Sequence, residues 1–257
     1  MKVVIFAGGL GTRLSEYTGT IPKPMVSVGG KPIIWHIMNL YAKQGFKEFV
    51  VALGYRSDVI KNYFASYKSS MDDYKIDLKN GEIEVINGVK EDWKISLIDT
   101  GELTMTGGRL KRLKDYIKND SFLLTYGDGL SDVSISEVIK LHKDNKSLIT
   151  MTAVHPPARF GEVEIDDSSK VVSFEEKPQL KEGWINGGFF VVEPEFLDLI
   201  DGDHQMLEQE PLNRASISGR LSAYKHDGFW QCVDTKRDLE LLEKMHQSNE
   251  GIWSLNE

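Results

Sequence analysis

Gly8, Gly9 and Gly11 fall within four positions, directly after the apolar run Val3-Val4-Ile5-Phe6-Ala7, and Thr12 and Arg13 follow them. Glycine permits positive φ and a close backbone approach to a ligand. Successive amides in such a turn can cradle phosphate oxygens. The glycines alone are explained equally well by an ordinary strand-to-helix turn. Two named alternatives do not fit. A P-loop closes on Gly-Lys-Ser/Thr, whereas this loop closes on Gly11-Thr12-Arg13, and Pro32 follows the lysine of Gly29-Gly30-Lys31. A dinucleotide fingerprint needs glycine at position 14, where Leu14 stands.

Two cations strengthen the phosphate reading. Arg13 offers a planar, bidentate fork. Lys23 sits between Pro22 and Pro24 on a stiffened backbone, which limits where its amine can go. A solvated surface lysine is the plain alternative. Two carboxylates then stand out. Asp128 lies between Gly127 and Gly129 at the end of the apolar run 121–126, and Asp234 follows Phe229-Trp230-Gln231-Cys232-Val233. Singly, a turn aspartate and a helix N-cap account for them. Jointly, with phosphate oxygens, they make a hard-oxygen set suited to Mg²⁺. The six histidines carry no catalytic spacing.

The elements that must position these residues follow from periodicity. Val3–Ala7 and 49–53 read as buried parallel strands. A helix is expected from Pro32 to Gly45, with Ile33, Ile34, Ile37, Met38 and Tyr41 as its apolar stripe. A second helix is expected over 57–67, and strands over 82–86, 93–98 and 121–126. Ser134-Ile135-Ser136-Glu137 fits a capping box, and Ile135, Val138, Ile139 and His142 then share one helix side. Beyond residue 147 strands dominate: 148–154, 162–166, 171–176, 185–192 and 220–225. A final amphipathic helix carries Leu239, Leu242 and Met245. Alternating strand and helix marks a parallel sheet, and the second half reads as extra sheet inserted into it or laid over it. Trp35, Phe189 and Phe190 are expected in the core.

The chain has 257 residues and a net charge of −8, so it presents no field that would gather nucleic acid or an anionic membrane. The first apolar run is too short for a secretory or membrane segment. A single cysteine, Cys232, cannot close an intrachain disulfide, which points to a reducing cytoplasm.

Taken together, these motifs resemble the sugar-phosphate nucleotidyltransferases. Gly8-Gly9-Leu10-Gly11-Thr12-Arg13 and Pro22-Lys23-Pro24 match the family signature. Its cytidylyltransferase branch is resembled by Asp99-Thr100-Gly101, Thr106-Gly107-Gly108-Arg109 and Tyr126-Gly127-Asp128-Gly129. Glu176-Lys177-Pro178, Ile185-Asn186-Gly187-Gly188-Phe189-Phe190 and Trp230-Gln231-Cys232-Val233-Asp234-Thr235 extend that match to nearly the whole chain. Leu14-Ser15-Glu16 departs from the proline that many members carry there, and the departure suits the same branch.

The resemblance implies an α/β fold: a Rossmann-like mixed, mostly parallel sheet flanked by helices. It implies one domain over 1–257, with a nucleotide-binding half at 1–146 and a β-rich sugar-binding half at 147–257. CTP and a hexose 1-phosphate, here glucose 1-phosphate, are the implied substrates, CDP-glucose and pyrophosphate the products, and Mg²⁺ the cofactor. Asp128 and Asp234 would hold the metal, and Arg13 and Lys23 would complete the catalytic set. Phe6, Ala7, Gly8, Gly9, Leu10, Gly11, Thr12, Thr104, Arg109 and Gly127 would join them around the nucleotide, with Thr104 and Arg109 as donors to the base. Lys177 would pair with the sugar phosphate, while Glu176, Asn186 and Gly187 would bind the sugar. Strict strand alternation puts Glu176 and Lys177 on opposite faces, so this role requires a break at Pro178. A homo-oligomer is expected. Use of UTP, dTTP or GTP, or of another hexose 1-phosphate, and a non-catalytic nucleotide-sugar sensor, are the competing readings.

Overall fold

The computed structural model describes residues 1–11, 19–156, 162–175 and 183–248. Strand β1, Val3–Ala7, is buried at all five positions. A one-turn 3-10 helix, Lys23–Met25, leads into the short strands β2 (Ser27–Val28) and β3 (Lys31–Pro32). Helix α1, Ile33–Lys43, buries the expected stripe and takes Pro32 as its N-cap. Next come β4 (Glu48–Leu53), α2 (Ser57–Met71), the hairpin strands β5 (Asp73–Asp77) and β6 (Glu82–Asn87), and β7 (Lys94–Asp99). The sequence reading contains β6 but not β5, whose only apolar members are Tyr74 and Ile76.

Helices α3 (Thr106–Arg112) and α4 (Lys114–Ile117) precede β8 (Phe122–Tyr126), β9 (Gly129–Ser131) and α5 (Ile135–Asp144). The cap of α5 is only half the expected box. Ser134 Oγ accepts the Glu137 amide at 3.4 Å, and the Ile135 amide goes to Gln44 Oε1 at 2.7 Å. The chain then forms β10 (Ile149–Val154), β11 (Glu162–Ile165), β12 (Val171–Glu175) and β13 (Ile185–Val192). A 3-10 helix, Pro194–Leu199, and helix α6 (Glu210–Ile217) lead to β14 (Leu221–His226), β15 (Trp230–Cys232) and α7 (Lys236–Gln247).

Seven strands form one sheet in the order β14-β10-β13-β8-β1-β4-β7. β1 lies parallel to β4 and β8, β4 to β7, and β10 to β14. β13 runs antiparallel to both its neighbours, β8 and β10. Of the two arrangements expected for the second half, the sheet takes the inserted one: β10, β13 and β14 continue the first sheet, and β11–β12 pair apart from it. The reason is burial on both faces. Phe189 and Val191 of β13 enter one core and Phe190 and Val192 the other. β1 divides the same way, with Val3, Ile5 and Ala7 on one side and Val4 and Phe6 on the other. Each such side chain contributes about 1.5–3 kcal/mol by leaving water. α1 and α7 cover the first core, α3 and α6 the second.

Candidate active site

The strand order reverses at β1, with β4 and β7 to one side and β8 to the other. In such sheets ligands bind beyond the carboxyl ends of the strands at the reversal. Gly8 follows β1 there and Gly127-Asp128 follows β8. Because β13 runs the other way, its first residues, Ile185 and Asn186, reach the same edge. A cleft of ≈ 610 Å³ opens at this edge, within the range of ligand-binding sites.

Asp234 arrives by a separate device. β15 pairs with β9, setting Cys232 opposite Gly129, and the Val233 amide donates to Asp128 O at 2.9 Å. Asp234 is not the N-cap of α7. Thr235 is, in a reciprocal capping box with Asp238, whose Oδ2 also accepts the Asp234 amide at 3.0 Å. The two aspartates therefore face each other from rigid ends. Between them lies Lys23: its Nζ donates to Asp128 Oδ2 at 2.5 Å and to Asp234 Oδ1 at 2.6 Å. The lysine side chain is 13% exposed and each aspartate 29%. Burial would lower the Lys23 pKa, but Asp128 and then Asp234 outweigh it and raise it. Nearby, burial pushes the Cys232 thiol up to about 12, with Asp128 and then Asp234 adding to the push. The floor of the cleft is thus a site that demands positive charge.

The glycine loop is shaped by Arg109. Of its three glycines only Gly11 takes positive φ, 61°. A Cβ on Gly8 would stand 2.3 Å from Arg109 Nη1, so here glycine makes room for a guanidinium. Arg109 Nη1 donates to Leu53 O, Thr100 Oγ1 and Gly101 O, and Nη2 to Gly8 O and Glu102 O, at 2.6–3.0 Å. Those hydrogens are engaged on the protein itself, where the sequence reading has them donating to a base. Only 4% of the residue is exposed, and desolvation lowers its pKa. Gly127 is equally constrained, since a Cβ there would meet Phe6 O at 2.6 Å and Pro24 Cγ at 2.9 Å.

The cleft brings together Phe6, Ala7, Gly8, Gly9, Gly11, Lys23, Thr104, Arg109, Gly127, Asp128, Asn186 and Asp234. Leu10 is absent from its lining and is 48% exposed. Gly187 lies just beside it, in a small pocket with Asp128 and Trp230, and its carbonyl accepts Trp230 Nε1 at 2.7 Å. Thr12, Arg13, Glu176 and Lys177 fall outside the described residues. The structure adds Glu208. Its carboxylate accepts the Tyr126 hydroxyl and, at 2.7 Å, Thr106 Oγ1. Burial first, then Glu208, raises the Tyr126 pKa. Tyr126 and Thr106 belong to motifs already recognised, but Glu208 stands in a loop with no pattern that could have singled it out.

Residues 2–240 match the nucleotidyl transferase family model, and the chain belongs to that family. Within it, the chain is 48% identical to glucose-1-phosphate cytidylyltransferase of Salmonella typhi over 254 residues, 98% of each chain. The probable glucose-1-phosphate cytidylyltransferase of Bacillus subtilis is 40% identical over 99% of this chain and 100% of its own. HddC from Yersinia pseudotuberculosis superimposes with a TM-score of 0.71 at 26% identity, over 95% of this chain and 99% of that one. The same protein complexed with GMP-PN gives 0.69.

Proposed function

We propose that this nucleotidyltransferase moves a cytidylyl group from CTP to α-D-glucose 1-phosphate, giving CDP-glucose and pyrophosphate with Mg²⁺ as cofactor. The observation that carries the reading is the convergence of Asp128 and Asp234 on one cation beside the glycine loop. The choice of CTP and glucose 1-phosphate rests on the named relatives. Two carboxylates whose oxygens already grip an ammonium suit a hard divalent cation. Bound there, Mg²⁺ supplies a divalent charge that neutralises phosphate oxygens.

An oxygen of the sugar phosphate attacks the α-phosphorus, and pyrophosphate leaves in line. A phosphate monoester has a second pKa near ~6, so it needs no general base at neutral pH. The chain's contribution is aim and charge. Amides of Gly8, Gly9 and Gly11 line the approach to the triphosphate. Lys23 and Arg13 stabilise the triphosphate and the departing pyrophosphate. Thr104 faces the base, Lys177 grips the sugar phosphate, and Glu176, Asn186 and Gly187 bind sugar hydroxyls.

Pyrophosphate release, screened over nucleotides and sugar 1-phosphates, tests the proposal. A base edge left unpaired costs ~1–3 kcal/mol, so CTP should exceed UTP by about tenfold or more in kcat/KM. A higher value for UTP or dTTP would overturn the cytidylyl assignment and leave the family intact. Nucleotide binding without any turnover would favour the sensor.

The same reading includes a homo-oligomer in the cytoplasm. The hairpin β5–β6 pairs Tyr74 with Val85 and Ile76 with Ile83. Ile76, Ile83 and Val85 are about half exposed or more (55, 65 and 46%), a face that a second copy of the chain would cover. Light scattering of the Ile83→Glu variant against the parent chain tests this. Among the described residues no helix is long and apolar enough to cross a membrane.

A further inference from the structure

Two carboxylates aimed at one point repel each other. Asp128 and Asp234 avoid this because the Lys23 ammonium sits between them, 2.5 Å from Oδ2 of one and 2.6 Å from Oδ1 of the other. Lys23 cannot drift far, since its backbone is set by Pro22 and Pro24 and by the 3-10 turn in which the Met25 amide reaches Pro22 O at 2.8 Å. The two carboxylates it grips are the pair that would hold a divalent cation, and Mg²⁺ takes carboxylate oxygens at about 2.0–2.1 Å. An ammonium and a divalent ion cannot both contact the same oxygen pair without strong mutual repulsion.

On the reading that these aspartates are the metal pair, we infer that Lys23 is an exchangeable internal cation. It holds the two carboxylates together in the nucleotide-free protein, gives way to the divalent ion, and is thereby turned toward the polyphosphate in the same cleft. Lys23 then has two successive partners: the aspartates first, phosphate oxygens second. The exchange makes metal and nucleotide cooperative. Nucleotide phosphates accept the displaced ammonium, so each ligand strengthens the other by the same factor. Metal alone binds weakly because it must evict a cation held by two charge-assisted hydrogen bonds.

Two measurements on the full chain without nucleotide test the exchange. In the first, Mn²⁺ is titrated and the free ion followed by electron paramagnetic resonance. Lys23→Met keeps the apolar stem and removes the competitor, so it should bind Mn²⁺ about tenfold tighter than the parent. Lys31→Met removes the same charge from an ammonium that packs 5.3 Å from the Trp35 ring centre. It should change Mn²⁺ affinity by less than about twofold, because Lys31 does not line the cleft and salt screens charges that make no direct contact. In the second, reductive methylation of the parent chain should label Lys23 several times faster with saturating Mg²⁺ than without it. Equal or weaker Mn²⁺ binding by Lys23→Met overturns the exchange. So does Lys23 labelling that Mg²⁺ leaves unchanged, and that result needs no variant to fold. If neither chain binds Mn²⁺, the metal pair itself is refuted. If both bind it equally and Lys23 labelling does not move, the metal pair stands and only the exchange is lost.

Discussion

Two clefts open at opposite edges of one sheet, and both gather charged groups. At the edge where β1 and β8 begin, a cleft of ≈ 420 Å³ is lined by Lys2, Ser121, His142 and Glu193 among others. Its polar groups complete one another. His142 Nδ1 meets Thr150 Oγ1 at 2.9 Å, His142 Nε2 meets Glu193 Oε1 at 2.9 Å, and Ser121 Oγ donates to both Glu193 oxygens at 2.8 Å. That network closes on itself. At the opposite edge, glycines bare the backbone and two like charges converge on one lysine. That arrangement gains from a polyanion and a divalent ion, whereas the first is complete without either. The presence of a buried histidine and carboxylate therefore locates a site less well than converging carboxylates beside a glycine loop.

The largest effect that would break this contrast lies at the proposed metal pair. Asp128→Asn and Asp234→Asn should each lower turnover about a thousandfold, or ~4 kcal/mol of transition-state stabilisation. Circular dichroism should show both variants folded, because the amide fits the same volume. Turnover near the parent level with Mg²⁺ would end the distinction between the two edges. Arg109→Met comes next. Its loss takes the guanidinium away from Gly101 O and Glu102 O and leaves Leu53 O to Thr100 and Gly8 O to the Tyr55 amide, so unfolding in urea should reveal about 3 kcal/mol less stability, together with weaker CTP binding. An unchanged midpoint would show that the guanidinium is not a brace.

On the proposed role of Lys177 toward the sugar phosphate, Lys177→Ala sharpens the contrast within the site. An ion pair in a water-poor cleft is worth ~2–4 kcal/mol, so kcat/KM for glucose 1-phosphate should fall about thirtyfold or more. CTP binding, measured by calorimetry without sugar, should be nearly untouched, while Lys23→Ala should weaken it strongly. Equal loss of CTP affinity in both would merge the two lysines into one phosphate site. The smallest effect belongs to the closed network. His142→Gln should cost about 1–2 kcal/mol of stability and leave steady-state turnover within twofold. A large loss of turnover with the fold retained would give that edge a role in the reaction.

Much of this was legible before any coordinates. The buried run of β1 and the glycine-rich loop that follows it are both read from neighbouring residues. The stiff setting of Lys23 and the glycine flanks of Asp128 are likewise properties of neighbouring residues. The strand β5 was not legible, because five residues with only Tyr74 and Ile76 apolar carry little periodicity. Nor was the brace made by Arg109: the glycines that accommodate it, Gly8 and Gly54, lie far from it in the chain and carry no mark of their purpose.

The sequence by itself determined which chemical groups are available and on what kind of local backbone each is carried. These are short-range matters of sterics and periodicity. Only the tertiary structure decided which of them meet. Asp128 and Asp234 stand 105 and 211 positions from Lys23, and nothing local brings them to one ammonium. The pairing of β15 with β9 does so, and the reversed direction of β13 carries Asn186 to the same edge. Contacts of that range depend on how two apolar faces of one sheet are covered at once, and that free energy belongs to the whole chain.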